Sequence, residues 1–255
     1  MIPASLGSGQ IAVLFVLMVV TGAVGAVTGG NSLINVPLMI TVGMNPRQAV
    51  ATNMFAVTFM TISATVRFAR GGMLRRDLLM PLGVLTLVTS AVGAQIAVKL
   101  PETTVKIVVG ISMAAVVTFI AFNRKRDPVP PTPARRRVGL AATALLGIYG
   151  GFFSGGYTTL MTVLCTVCFG LTMMESVAVT KPINLVSCAA ASAVFFVGGL
   201  IDLRVGLPLA AGNLIGGWLG AHAALKGGDR FVRALFLATV GALALKLVVW
   251  DLLLH

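Results

Sequence analysis

Lys181 is the residue whose type and setting most suggest chemistry. It lies in Ala178-Val179-Thr180-Lys181-Pro182-Ile183-Asn184, with apolar sequence on both sides. An ammonium in the middle of an apolar span is costly and faces a cavity or a partner. The nearest acids in sequence are Glu175 and Asp202, and neither is one helical turn away. A ligand anion is therefore the simplest way to neutralise Lys181. The competing reading is a side chain that snorkels to an interface, since Glu175 marks a loop just upstream. Pro182 strengthens the site reading, because a proline within a helix removes a hydrogen bond and frees carbonyls near Lys181 and Asn184.

Neutral donors recur at matching places elsewhere. Thr52-Asn53 stands where Thr180-Lys181 stands later in the chain, so Asn53 is either a substrate donor or an interhelical hydrogen bond. Two glycine pairs, Gly29-Gly30 and Gly155-Gly156, interrupt apolar runs. They are flanked by Thr28, Asn31 and Ser32 in one case and by Ser154, Tyr157 and Thr158 in the other. Glycine pairs break helices, and the half-helix N-termini that result present free N–H groups that favour anions. The alternative is that these small residues only let helices pack closely.

Gln95 and His222 are matching polar residues in otherwise apolar spans. His222 is a candidate for proton coupling, because imidazole titrates near physiological pH; the alternative is a satisfied polar contact near a helix end. Cys165, Cys168 and Cys188 lie in apolar runs and read as packing. No acidic pair sits deep in a span, so no metal and no cofactor are expected. No metalloprotease, nucleophile-elbow or Walker pattern appears, and the expectation is a protein that is not an enzyme. One cation among many neutral donors suits a small anion.

These residues need elements to position them, and the composition says which. Only 10% of the 255 residues are charged while 57% are hydrophobic, and the mean hydropathy is +0.99. That is too few charges to cover a globular surface in water. Leu78–Val98, Val105–Phe122 and Phe231–Trp250 each approach the roughly 20 residues that span hydrocarbon as a helix. The chain reads as an all-α, polytopic membrane protein whose environment is the lipid bilayer. The net charge of +12 reflects basic cytoplasmic loops, since aromatic residues do not interleave with the basic clusters as nucleic-acid binding would require. No basic n-region precedes the first apolar run, which is expected to be retained.

The composition breaks once, at Asn123–Arg137, a stretch with six basic residues and four prolines that reads as an extended, solvated cytoplasmic linker. It separates a first transmembrane repeat, 1–122, from a second, 138–255. Thr28-Gly29-Gly30-Asn31 matches Ser154-Gly155-Gly156-Tyr157, and Ala49–Asn53 matches Val177–Lys181. Pro81 matches Pro208, and Gly93–Lys99 matches Gly220–Lys226. Spacing this constant over four blocks indicates a duplication, an architecture common in secondary transporters. Each repeat is led by a Gly-broken helix. Eight long spans result if each broken segment crosses once, and ten if the half-helices count separately. The basic load shifts by one loop between the halves, which favours inverted repeats.

The motifs Gly25–Pro37 (GAVTGGNSLINVP), Ala49–Asn53 (AVATN), Phe153–Tyr157 (FSGGY) and Val179–Asn184 (VTKPIN) resemble those of the TauE/SafE family of sulfite and organosulfonate exporters. The resemblance covers both halves. It implies a bacterial inner-membrane secondary transporter that exports a small sulfur-containing anion of the sulfite, sulfonate or sulfoacetate type by alternating access. Lys181 would pair with the anionic head group, and Asn31, Asn53, Tyr157, Thr180 and Asn184 would orient it. Two alternatives remain open: H⁺- or Na⁺-coupled uptake of thiosulfate or another anion, and an anion channel. A homodimer is compatible with the sequence.

Overall fold

The computed structural model describes residues 8–122 and 130–254, and the described residues are helical throughout, without strands. In chain order the helices are α1 (Ser8–Thr28), α2 (Ser32–Thr41), α3 (Pro46–Arg70), α4 (Arg76–Lys99), α5 (Glu102–Phe122), α6 (Pro133–Phe152), α7 (Tyr157–Phe169), α8 (Met173–Val197) and α9 (Leu203–Leu254). The last is interrupted at Gly228, whose φ of 65° is not helical. Helix starts follow local chemistry. Asn45 accepts from the Arg47 N–H at 2.9 Å ahead of Pro46, and Thr172 and Glu175 form a reciprocal capping box at α8.

One boundary differs from the sequence reading. The stretch expected to be extended becomes helical at Pro133, because Thr132 caps it by accepting from the Arg135 N–H at 3.3 Å and proline suits the first helical turn. Arg135–Arg137 therefore begin α6; positions 123–129 of the expected linker lie outside the described residues.

Gly9–Thr28, Pro46–Arg70, Arg76–Lys99 and Met173–Val197 are each long and apolar enough to cross a membrane. By contrast, α2 and α7 have 10 and 13 residues, about 15 and 20 Å at the helical rise, short of a ~30 Å hydrocarbon core. Apolar side chains such as Met80, Val84, Val88 and Leu145 point outward, as lipid requires. The interior holds hydroxyls, amides and methionines.

Small residues set how the helices pair. A Cβ on Gly220 of α9 would fall 2.0 Å from the Ala23 carbonyl oxygen of α1, and one on Gly216 2.4 Å from that of Val19. A Cβ on Gly93 of α4 would fall 1.9 Å from the Ile148 carbonyl oxygen of α6. These are backbone-to-backbone contacts that only glycine permits. The register shows that α1 runs parallel to the first part of α9, since Val19 and Ala23 meet Gly216 and Gly220 in order.

Helices α3 and α8 run antiparallel. Ala64 and Phe68 cluster with Met174, Val177 and Ala178, while Thr58 meets Ser192 at 3.3 Å. A Cβ on Gly139, near the start of α6, would lie 2.9 Å from Cys168 at the end of α7. Thus α6 and α7 form a hairpin whose two ends return to one side. At that end Arg75 reaches Glu175 (3.9 Å), Arg67 reaches His222 (2.8 Å), and the Met174 N–H donates to Asp229 (2.9 Å). At the opposite end Arg47 pairs with Glu102 (3.3 Å) and the Asp202 N–H donates to Thr52 (3.1 Å).

Candidate functional site

Lys181 is 0% exposed, and its Nζ donates to the Gly25 carbonyl at 3.2 Å. The same carbonyl accepts the Gly29 N–H at 2.8 Å, in the last turn of α1 before the first break. The C-terminal end of a helix carries partial negative charge, so it attracts an ammonium. That is weak compensation for a whole charge. The ion pairs Arg47–Glu102, Arg75–Asp77 and Arg75–Glu175 lie at helix ends, and none of them includes Lys181.

The first break closes around this carbonyl. Gly25 has no room for a side chain, since a Cβ there would lie 2.6 Å from the Asn31 Cβ. Asn31 in turn donates from Nδ2 to the Met60 sulfur of α3 at 3.5 Å. Next along the chain, Ser32 accepts from Asn53 Nδ2 at 2.9 Å and shares a 2.8 Å hydrogen bond with Ser154. The two glycine breaks thus meet directly. Thr159 fastens them further by donating to the Thr28 carbonyl at 2.6 Å, and Tyr149 donates to the Gly155 carbonyl. Gly29 has φ +80° and a Cβ there would lie 2.6 Å from the Thr158 Cβ, so both conformation and space demand glycine. Gly30 lies between the two helices of the first break, and Gly156, at φ +74°, caps α7.

The Ser32–Ser154 bond yields a direct prediction. A double-mutant cycle to alanine, read by reversible unfolding in mixed micelles, should give a coupling of about 0.6 to 1.5 kcal/mol. Strict additivity would show that the two breaks do not support each other.

The remaining sequence candidates divide by where their polar atoms go. Thr28 donates to Val24 (3.0 Å) and Thr180 to Val177 (2.9 Å), each satisfying its own helix. Thr52 spends its hydroxyl oxygen on the Asp202 N–H rather than on the break. Asn184 accepts from Cys188 at 3.4 Å, and α8 stays helical through Pro182. The Tyr157 hydroxyl is buried without a partner. His222 is half-buried and its Nδ1 accepts from Arg67, which lies about 20 Å along α3 from Asn53 at the helical rise. Contacts join Asn31, Ser32, Asn53, Ser154 and Thr158 at the two breaks, and Lys181 reaches them through the Gly25 carbonyl; His222 directs its Nδ1 to Arg67 instead. A separate open groove of about 380 Å³, lined by Gln95, Lys99 and Val194, also lies outside this cluster.

Comparison with known families matches residues 14–247 to the sulfite exporter TauE/SafE family. The chain belongs to the TauE/SafE family. A probable membrane transporter protein of Haemophilus influenzae is 26% identical over 95% of this chain and 96% of its own length. The probable membrane transporter protein ORF9 of a Sinorhizobium species is 26% identical over 93% of this chain and 92% of its own. The probable membrane transporter protein YfcA of Escherichia coli K12 is 25% identical over 92% and 88%. No solved structure matches the chain. This TauE/SafE protein is a multi-pass bacterial membrane transporter.

For this TauE/SafE member the central chemistry is one buried ammonium beside hydroxyls, amides and two half-helix N-termini. That set can replace the hydration shell of a small oxyanion with N–H and O–H donors. Among the described residues, no cluster of His, Cys, Asp and Glu is placed to hold a metal ion. Four contributors to the breaks escaped sequence reasoning: the Gly25 carbonyl, Met60, Tyr149 and Thr159. Gly25 heads the glycine-rich run that marks the break, and Thr159 follows the second break, so position hinted at both. A methionine sulfur as an amide acceptor has no sequence signal.

Proposed function

We propose that this protein is a secondary transporter that exports a small sulfur-containing anion, of the sulfite, sulfonate or sulfoacetate type, by alternating access. The observation that carries the reading is Lys181: a fully buried ammonium whose hydrogen bond goes to a main-chain carbonyl and not to a carboxylate. A charge kept in such a place needs a partner that comes and goes. Asn31, Ser32, Asn53, Ser154, Tyr157 and Thr158 would complete the anion's shell. In a cell negative inside, export of an anion is favoured by ~2.3 kcal/mol per charge per 100 mV.

An inverted pair of repeats belongs to this reading. It is supported by the antiparallel run of α3 and α8, which are equivalents by sequence, and by α1 packing on α9 as α6 packs on α4. On this reading the half-helices α2 and α7 turn back near the midplane, so the ten-segment count applies. The end that gathers Arg67, Arg75 and Arg135–Arg137 faces the cytoplasm. The substrate path then opens alternately toward the two ends around contacts such as Ser32–Ser154.

Purified protein in liposomes tests this. Sulfite or sulfonate loaded on the cytoplasmic side should leave saturably, speed up with an inside-negative potential and show counterflow. Flux linear in concentration without counterflow would identify a channel. Strict dependence on an inward H⁺ or Na⁺ gradient would identify coupled uptake instead.

A further inference from the structure

We propose that Asn35 on α2 is a substrate contact, and that with Asn53 it selects an oxyanion carrying its own hydrogen-bond donor, an O–H or N–H, over one that carries only acceptors. This rests on the anion-transport reading above and sharpens its substrate class.

Asn35 is 0% exposed, yet neither its Nδ2 nor its Oδ1 has a hydrogen-bond partner. Asn53 is 1% exposed and its Oδ1 is likewise unpartnered. Buried amides left unpaired are destabilising, and they persist where something else supplies the missing bonds. The placement says where that something sits. The Asn35 N–H bonds the Asn31 carbonyl at 2.9 Å, so the residue stands one turn above the first break. Helical side chains lean toward the N-terminus, which carries the Asn35 carboxamide over Asn31 and Ser32. Ser32 touches Asn53, and Asn31 packs against Gly25, whose carbonyl holds Lys181. The free amide atoms therefore border the same break as the ammonium.

The chemistry of the free atoms defines the ligand. Lys181 and the hydroxyls can serve oxyanion oxygens. A carboxamide oxygen only accepts, and faced with an acceptor-only anion it would repel. Exchanging the nitrogen and oxygen of Asn35 changes nothing, because both ends are free and one is always an acceptor. A small sulfur oxyanion bearing a hydroxyl or amine satisfies the ammonium and the amide oxygens together.

Two near-isosteric sulfonates test this: 2-hydroxyethanesulfonate and 1-propanesulfonate, as competitors of sulfite efflux from liposomes. Wild-type protein should prefer the hydroxylated compound at least about tenfold. Asn35→Leu should weaken only that compound and bring the two within about twofold, with Asn35→Ala as the second variant should the leucine protein not fold. Equal competition in wild type, or a preference that survives both substitutions, overturns the role of Asn35. Those outcomes leave anion export standing. If sulfite and both sulfonates all fail to engage the wild-type protein, the export reading is defeated, and this inference falls with it.

Discussion

Replacing Lys181 by methionine should reduce anion flux at least about 100-fold while leaving the folded protein within about 1 kcal/mol of wild-type stability. Two opposing terms give the small stability change. An ammonium at the centre of a membrane helix costs ~2.5 to 3.5 kcal/mol on insertion scales, and methionine removes that cost with a side chain of similar length. Against it stands the lost bond to the Gly25 carbonyl, of the charged type that contributes about 1.5 to 3 kcal/mol. The carbonyl keeps the Gly29 N–H, so it is not orphaned. Flux has no such cancellation, because the anion loses its countercharge. Transition temperature and flux measured on one preparation separate the roles. A Lys181→Met protein that unfolds readily would mark a structural lysine, and one that transports normally would remove it from the site.

The second large effect concerns packing. Gly93→Ala and Gly220→Ala should each destabilise by about 3 kcal/mol, the upper part of the range for overpacking. Each new methyl would sit 1.9 to 2.0 Å from a backbone oxygen of the neighbouring helix, and backbone cannot swing aside as a side chain can. The two contacts lie in different helix pairs, so the losses should add. Gly83→Ala is the control: nothing lies within 4 Å of its Cβ position, and a mid-helix alanine should gain about 0.5 to 1 kcal/mol. Denaturant titration in micelles reads all three. Equal, small effects would show that the close contacts relax at little cost.

Much of this architecture is written in local chemistry. Few charges, long apolar runs and glycine pairs at Gly29-Gly30 and Gly155-Gly156 mark helices and breaks, because membrane solvation leaves few other options. Lys181 was legible for the same reason: a lone cation in an apolar run is conspicuous. Its acceptor was not, since any carbonyl looks like any other until helices pack. Asn35 escaped because an asparagine in an apolar helix reads as an interhelical bond, and only the packed structure shows that bond missing. His222 illustrates the converse. Its type suggested proton chemistry, but helix register sets it beside Arg67. The start of α6 was obscured by composition, where arginines and prolines hid a good cap at Thr132.

The pairing of α1 with α9 governs how the chain must be made. From Thr28 to Leu203 the ribosome inserts every other element before α1 can receive the partner whose Gly216 and Gly220 its backbone touches. At ordinary synthesis rates that interval is on the order of ten seconds or more. During it Gly22 and the backbone at Val19 and Ala23 wait without the α9 residues that cover them. The first helix thus completes its packing only once the last long helix has been made.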